Sequence, residues 1–551
     1  MKKNSGYPVS RRTFLATSAL ATAALALDWS ALEALADKIG PKDQYPVVII
    51  GSGLGGLTAA ALLARHGFPV TVLEQHGIPG GYATSFDRAG GKFTFDVSLH
   101  TTAARAPGTE QVLKATGVFD QVEAVKLPDQ CRVVTPDYDL TYPQTDPDGL
   151  IRLLAAKFPE EEAGIRDCIN GILAVAEESD KPFDRDSFFQ KIKFPSSHPA
   201  MWAIRNQTLA QFLDKYVNNP KLRYLLSIYT LYHGLPPSQL SAFYYAVATG
   251  GFIKHGAYHY KPRSQRLSNA LVDVIRKNGG QVILETEVTE IFLQDEAVAG
   301  VKTGDGRKYP ARAVLSNAGA PTTMEKLLPQ GAVPASYLKK LRSFRPSISC
   351  FGVWLGLNQE IRGKIKGATV FVTDDYDQEK GFQANLAGDL SKSSFSVAIY
   401  DNMFPGYSKP GTSTISVGTV CGFEPWKKYE QDYFAGRKEA YLQEKNRLAE
   451  ILIQRAEAGV IPGLRGMIEV MEAATPLTMM RYTRNPQGAI YGYEQSMDNA
   501  YMNRIENATP VKGLYLAGAW GNPGGGYTGV QRGGMQAFQG LMKDWGVKTT
   551  G

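Results

Sequence analysis

The chain has 551 residues, more than one hydrophobic core can hold, so two domains are expected, and its 43% hydrophobic content is ordinary for a globular protein. A formal charge of +7 is a mild excess without a basic run, so no nucleic-acid partner is expected. The four cysteines Cys131, Cys168, Cys350 and Cys421 lack C-x-x-C spacing, and the seven histidines form no H-E-x-x-H, so no metal site and no redox pair is expected.

In chain order, Ser10-Arg11-Arg12-Thr13-Phe14-Leu15 leads into an alanine and leucine rich run to Leu27, and Ala34-Leu35-Ala36 offers a small-residue cleavage site. This is the order of a twin-arginine signal over residues 1–36. It predicts a periplasmic or otherwise exported protein, with the twin-arginine export machinery as a partner. Cleavage after Ala36 would remove Lys2, Lys3, Arg11 and Arg12 together with Asp28 and Glu33, leaving +5. No later run is long and apolar enough to span a bilayer.

Val47-Val48-Ile49-Ile50 reads as a strand covered on both faces and runs into Gly51-Ser52-Gly53-Leu54-Gly55-Gly56. Gly51, Gly53 and Gly56 fit G-x-G-x-x-G: the first turns the chain, the second admits a pyrophosphate, and the third packs the helix on the strand. The free N–H groups at the helix start would face the phosphates. A helix over Leu57–Arg65 with Gly67 as its stop leads to a second strand, Val70–Leu73, which delivers Glu74. A carboxylate there accepts hydrogen bonds from ribose hydroxyls and repels an additional phosphate, which predicts an unphosphorylated adenosine ribose.

After Glu74 come Gly80-Gly81-Tyr82-Ala83-Thr84-Ser85 and Phe93-Thr94-Phe95-Asp96-Val97. These resemble the FAD-binding amine oxidase and phytoene desaturase superfamily. The resemblance implies FAD as cofactor and an α/β fold. That fold is a Rossmann-like FAD-binding domain of the p-hydroxybenzoate hydroxylase and amine oxidase type, carrying an inserted α+β substrate domain. It assigns Gly51, Gly53, Gly55, Gly56 and Glu74 to the cofactor and carries Gly80, Gly81 and Ser85 onto its flavin side. Many members have basic residues flanking the glycine pair, whereas this chain has Ile78 and Tyr82, so backbone would have to neutralise more of the phosphate charge.

On this reading the FAD-binding domain comprises residues 45–108, 256–320 and 481–546, and the substrate domain residues 109–255 and 321–480. The stretch 109–255 reads as helices broken by prolines, with Leu209–Leu213 and Leu222–Leu226 among the clearer ones. Phe243-Tyr244-Tyr245 and Tyr258-His259-Tyr260 either line an apolar tunnel or pack a core. A helix through Leu267, Leu271 and Ile275 precedes a strand at 281–284, and Val288 matches the superfamily's backbone contact to adenine. Where relatives have a paired glycine, this chain has Arg263-Ser264-Gln265-Arg266. Asp305-Gly306 signals a hairpin between the runs 298–301 and 311–315. A strand at 349–355 and a helix through Tyr441, Leu448 and Leu452 follow.

Leu514–Ala519 reads as an apolar strand closing on a turn, then Asn522-Pro523-Gly524-Gly525-Gly526 and a helix from Gly529. This resembles the carboxy-terminal flavin motif of phytoene desaturases and assigns Gly518, Gly525 and Gly526 to the cofactor. The helix start would stabilise the anionic reduced ring. Ala519 stands where many amine oxidases carry an acid. Leu73-Glu74-Gln75-His76 with Phe95–His100 is similar to the carotenoid isomerase and retinol saturase branch.

The leading expectation is an exported FAD-dependent oxidoreductase acting on carbon–carbon bonds of an apolar polyene or isoprenoid-like substrate, with hydride transfer at flavin N5. Its electron partner is unassigned, and an apolar substrate outside the cytoplasm implies contact with a membrane surface. A flavin amine oxidase, disfavoured by Ala519, is the second reading; a redox-neutral polyene isomerase and a flavin-binding protein without turnover are the others. No catalytic acid–base dyad is recognisable. His100 is a weak candidate, and Tyr527 and Arg532 are pocket candidates by position alone.

Overall fold

The computed structural model describes residues 45–98, 100–181, 188–500 and 503–546, and the export signal read at 1–36 lies outside the described residues. Strand β1, Val47–Ile50, is buried at every position, as a strand covered on both faces must be. It pairs in parallel with β2 (Val70–Leu73), beyond which lies β3 (Gln281–Ile283). On its other side are β4 (Ala313–Ser316) and β5 (Leu514–Leu516). Three distant chain segments thus build one parallel five-stranded sheet.

Between β1 and β2 runs helix α1, Leu54–Arg65, buried everywhere except Arg65. It starts at Leu54 rather than Leu57, taking Gly55 and Gly56 into its first turn, where side chains would not fit. A Cβ on Gly56 would lie 2.2 Å from the Gly51 carbonyl oxygen. Gly67, at φ +78°, stops the helix as expected.

The second layer is a seven-stranded sheet. Strand Ser349–Leu357 lies antiparallel between Ser413–Cys421 and the edge strand Ile468–Ala474, and the sheet continues through Phe395–Ile399 and Thr369–Val372. Helix Glu439–Gly459 covers it with Tyr441, Leu448 and Leu452, as its spacing predicts. The segment 109–255, read as helical, also supplies three strands: Glu123–Lys126 pairs with Tyr258–Lys261, while in this sheet Cys131–Val134 joins Thr369–Val372 in parallel and Asp139–Tyr142 forms the edge. Each is four residues long, too short for its alternation to stand out in the sequence.

Packed beside these strands is helix α2, Ala242–His255. Helices α3 (Gln265–Lys277) and α4 (Tyr527–Asp544) flank α1.

The expected hairpin is corrected. Its second arm is only Lys308–Pro310, and the apolar run 311–315 leaves the turn to become β4. A second hairpin, Val288–Gln294 with Ala297–Thr303, turns on Asp295 and Glu296 at positive φ, a geometry their sequence does not advertise. All four cysteines are free. No described helix is long and apolar enough to cross a membrane, and no metal-holding cluster exists among the described residues.

Candidate active site

The turn after β1 and the turn after β5 open onto one connected cavity of about 3830 Å³, several times the roughly 300–1,000 Å³ of an ordinary small-molecule pocket. A dinucleotide and a second molecule fit in such a space together. Gly51, Gly53, Gly55, Glu74, Gly80, Gly81, His100, Val288, Gly525, Gly526, Tyr527 and Arg532 line it. The fold therefore brings residues from distant segments of the chain around one cavity. Gly56, Ser85 and Gly518 do not line it.

The glycines are required by close approach. Gly51, at φ +88°, donates its N–H to the Leu73 carbonyl at 2.8 Å, tying β1's end to β2. Gly80, at φ +127°, donates to the Ser52 carbonyl at 2.9 Å, and a Cβ on it would meet Ser268 Oγ at 2.5 Å. A Cβ on Gly53 would come within 2.6 Å of Asn317 Nδ2, and one on Gly55 within 2.5 Å of Gly518 Cα. Gly518 therefore acts through packing, bringing the β5 turn against α1. Asn317, at the end of β4, wedges its amide between the two glycine turns, a role invisible without the sheet order.

Glu74 is buried at the end of β2. Its Oε2 accepts from Ser52 N and Ser52 Oγ, both at 2.7 Å, and its Oε1 from His76 N at 2.8 Å. Gly53 and Gly526 are the N-caps of α1 and α4, and neither helix start has a side-chain cap, so the N–H groups of both first turns are left to whatever occupies the cavity. A carboxylate for ribose hydroxyls, a close-approach glycine turn for pyrophosphate and a second open helix start for an electron-rich ring fit an FAD molecule laid from Glu74 to Gly526.

Ser85, expected along the flavin, is directed to Asp96, its Oγ 3.3 Å from Oδ1. Asp96 is fully buried and also accepts from Ser264 N at 2.9 Å, Ser264 Oγ and Tyr407 OH at 2.9 Å, with His259 Nε2 3.2 Å away. Burial pushes the Asp96 carboxyl up, but these partners outweigh it and hold the group below the usual carboxylate range. This network explains the Arg263–Arg266 departure: Ser264 serves Asp96 while Arg263 donates to the Thr94 and Tyr407 carbonyls. No motif signalled it.

The aromatic clusters divide. Phe243 and Tyr244 line the cavity, whereas Tyr245 donates to the Leu226 carbonyl inside the core and His259 and Tyr260 are buried. Tyr244 OH lies 3.4 Å from the Gly525 carbonyl, and a Cβ on Gly525 would stand 2.7 Å from Tyr491 Cα, so this glycine is fixed by packing against Tyr491.

Behind the same loop lies Arg504, fully buried, donating to the carbonyls of Gly521 and Ala519 at 2.7 Å each. Burial lowers its guanidinium to about 10, still protonated at neutral pH. His100 Nε2 is 3.2 Å from Ser416 Oγ, itself 3.2 Å from Tyr400 OH. Burial and neighbouring His259 lower His100 to about 4, so it is a neutral imidazole at pH 7 and not a ready proton donor. Tyr527 OH sits 3.4 Å from Ser98 Oγ.

Comparison with known proteins gives the same picture. The model for flavin containing amine oxidoreductase matches residues 54–537. The chain is 25% identical to the all-trans-retinol 13,14-reductase of Rattus norvegicus over 513 residues, covering 86% of this chain and 82% of the relative. It is 24% identical to prolycopene isomerase 1, chloroplastic, of an Oncidium hybrid cultivar over 532 residues, covering 93% and 86%. Among solved structures, cyclohexylamine oxidase from Brevibacterium oxydans superposes with a TM-score of 0.58 at 16% identity, covering 91% of this chain and 98% of that one, a likeness of fold.

Proposed function

The chain belongs to the flavin containing amine oxidoreductase family, whose cofactor is FAD, and from that membership we propose that this oxidoreductase acts on carbon–carbon double bonds of an apolar, polyene-like substrate. The observation that carries the reading is the part of the cavity lining that meets the Gly524–Gly526 loop through Tyr244 and Tyr491. Tyr232, Phe243, Tyr244, Cys350, Trp354 and Tyr491 make it aromatic and uncharged. Burying an ammonium there without a counter-charge would be costly, whereas an extended hydrocarbon gains from every ring it covers. The relatives named for retinol reduction and prolycopene isomerisation, similar over most of their length, support the same substrate class.

FAD supplies hydride transfer when bound. The chain's own residues orient and exclude: Glu74 and the glycine turns would hold the adenosine and pyrophosphate, and the uncapped start of α4 would offer its N–H groups to the electron-rich ring. Neutral His100 hydrogen-bonds Ser416 rather than delivering a proton. This arrangement favours desaturation or saturation carried by the flavin over acid–base chemistry by side chains. Export by the twin-arginine route, and uptake of the apolar substrate from a membrane surface, belong to the same proposal and rest on the Arg11-Arg12 segment and the apolar wall.

Incubation of the FAD-loaded protein with a retinoid or carotenoid and an electron acceptor or donor, followed by mass analysis, tests this. A product differing by two hydrogens is expected. Conversion of an amine to a carbonyl, with polyenes untouched, would overturn it.

A further inference from the structure

Helix α2 is apolar around most of its circumference, which ordinarily means burial on all sides. One face, with Tyr245, Ala246, Thr249 and Gly250, is fully buried, and the margins of the opposite face also make contacts, Phe252 stacking on Tyr229 and Tyr244 meeting His233 edge-on. The other face, Tyr244, Val247, Ala248, Gly251, Phe252 and His255 at helical spacing, lines the cavity.

The two adjacent glycines separate the faces. A Cβ on Gly250 would meet Ala176 Cβ at 2.6 Å and the Ile172 carbonyl at 2.9 Å, so Gly250 is explained by the close crossing of helix Glu162–Ser179. A Cβ on Gly251 would meet nothing within 4 Å. Its φ is not in the left-handed region either. A glycine inside a helix costs about 1 kcal/mol relative to alanine, and neither packing nor backbone geometry repays that here. What distinguishes Gly251 is that the free space above it is the cavity itself.

The two ends of the face differ in chemistry. At one end Tyr244 OH touches the Gly525 carbonyl of the flavin loop. At the other the apolar surface stops at His255 and Lys254, whose Nε2 and Nζ lie 3.0 and 3.3 Å from Asp180 Oδ2. The eleven residue steps from Tyr244 to His255 span about 16 Å of helix.

We propose that the cavity face of α2 is the substrate rail: an elongated apolar chain lies along it, its reacting bond at the Tyr244 end and its polar terminus at Asp180–His255, with Gly251 giving clearance to its middle. Gly251 is thereby the position that admits long chains. The proposal rests on the polyene reading above.

The test uses the full-length FAD protein, with dissociation constants taken from flavin spectral perturbation by all-trans-retinol and by the shorter isoprenoid alcohol geraniol. Gly251→Phe should weaken retinol binding by about tenfold or more and geraniol by no more than about twofold, with FAD content unchanged. The control Gly381→Phe, also in open space but on helix Gln378–Leu386 away from the cavity, should change neither. Unaltered retinol binding in Gly251→Phe, or equal loss of both ligands, would overturn the rail while leaving the polyene reading standing. Failure of Gly251→Phe to fold would contradict the open space and overturn it too. A wild-type flavin that responds to neither alcohol would overturn the polyene reading and the rail with it.

Discussion

Glu74 is a buried carboxylate delivered by the end of the apolar strand β2. Ser52 N, Ser52 Oγ and His76 N already bind the carboxylate, so it is fixed before any ribose arrives. Glu74→Ala should weaken FAD binding by about 1 to 3 kcal/mol, and FAD titration of the apoprotein with an unchanged affinity would remove Glu74 from the site. His100 and the buried His233 are both held below their ordinary value of 6.5, to about 4 and about 3, chiefly by burial. The unfolded chain therefore takes up these protons first, and stability falls as pH drops from 6.5 toward 4. His233→Gln should flatten that fall in urea midpoints measured across the window, and an unaltered slope would contradict the assignment. His100→Ala should cost less than about tenfold in kcat, since a neutral hydrogen-bonding imidazole is not an acid catalyst.

At the scale of elements, β1, α1 and β2 could be read in the sequence because local signals agree there: a buried apolar run, a glycine turn and a glycine stop. Where local signals are short or point two ways, they misled. The run 311–315 is equally good as a hairpin arm and as a buried parallel strand, and only pairing with β1 and β5 decides. Asn317 gives no signal because its work is done on turns far away in sequence, and Arg504 none because no motif ties it to the loop carbonyls it holds at Ala519 and Gly521. The loop between β5 and α4 depends on Arg504. Arg504→Met should leave the Ala519 and Gly521 carbonyls buried and unpaired, costing about 2 to 4 kcal/mol and loosening FAD. A thermal melt equal to wild type, with full FAD retention, would show that the loop holds itself.

The whole molecule places two helix starts from opposite ends of the chain on one cavity, beside an aromatic wall contributed by the second sheet and α2. The motifs made the cofactor end readable, whereas the substrate end follows from packing and had no motif. On the export proposal, lysine at both Arg11 and Arg12 should leave a folded, FAD-loaded precursor in the cytoplasm, detected by fractionation; normal export would mean the segment does something else. The central claim, that flavin in this cavity does redox chemistry on a polyene, is tested most directly by anaerobic mixing of the purified protein with a polyene while the flavin spectrum is recorded. Bleaching of oxidised flavin, or recolouring of reduced flavin, in step with a two-hydrogen change in the polyene is the predicted result. Bleaching by amines alone, or polyene conversion with no net change in the flavin, would contradict it.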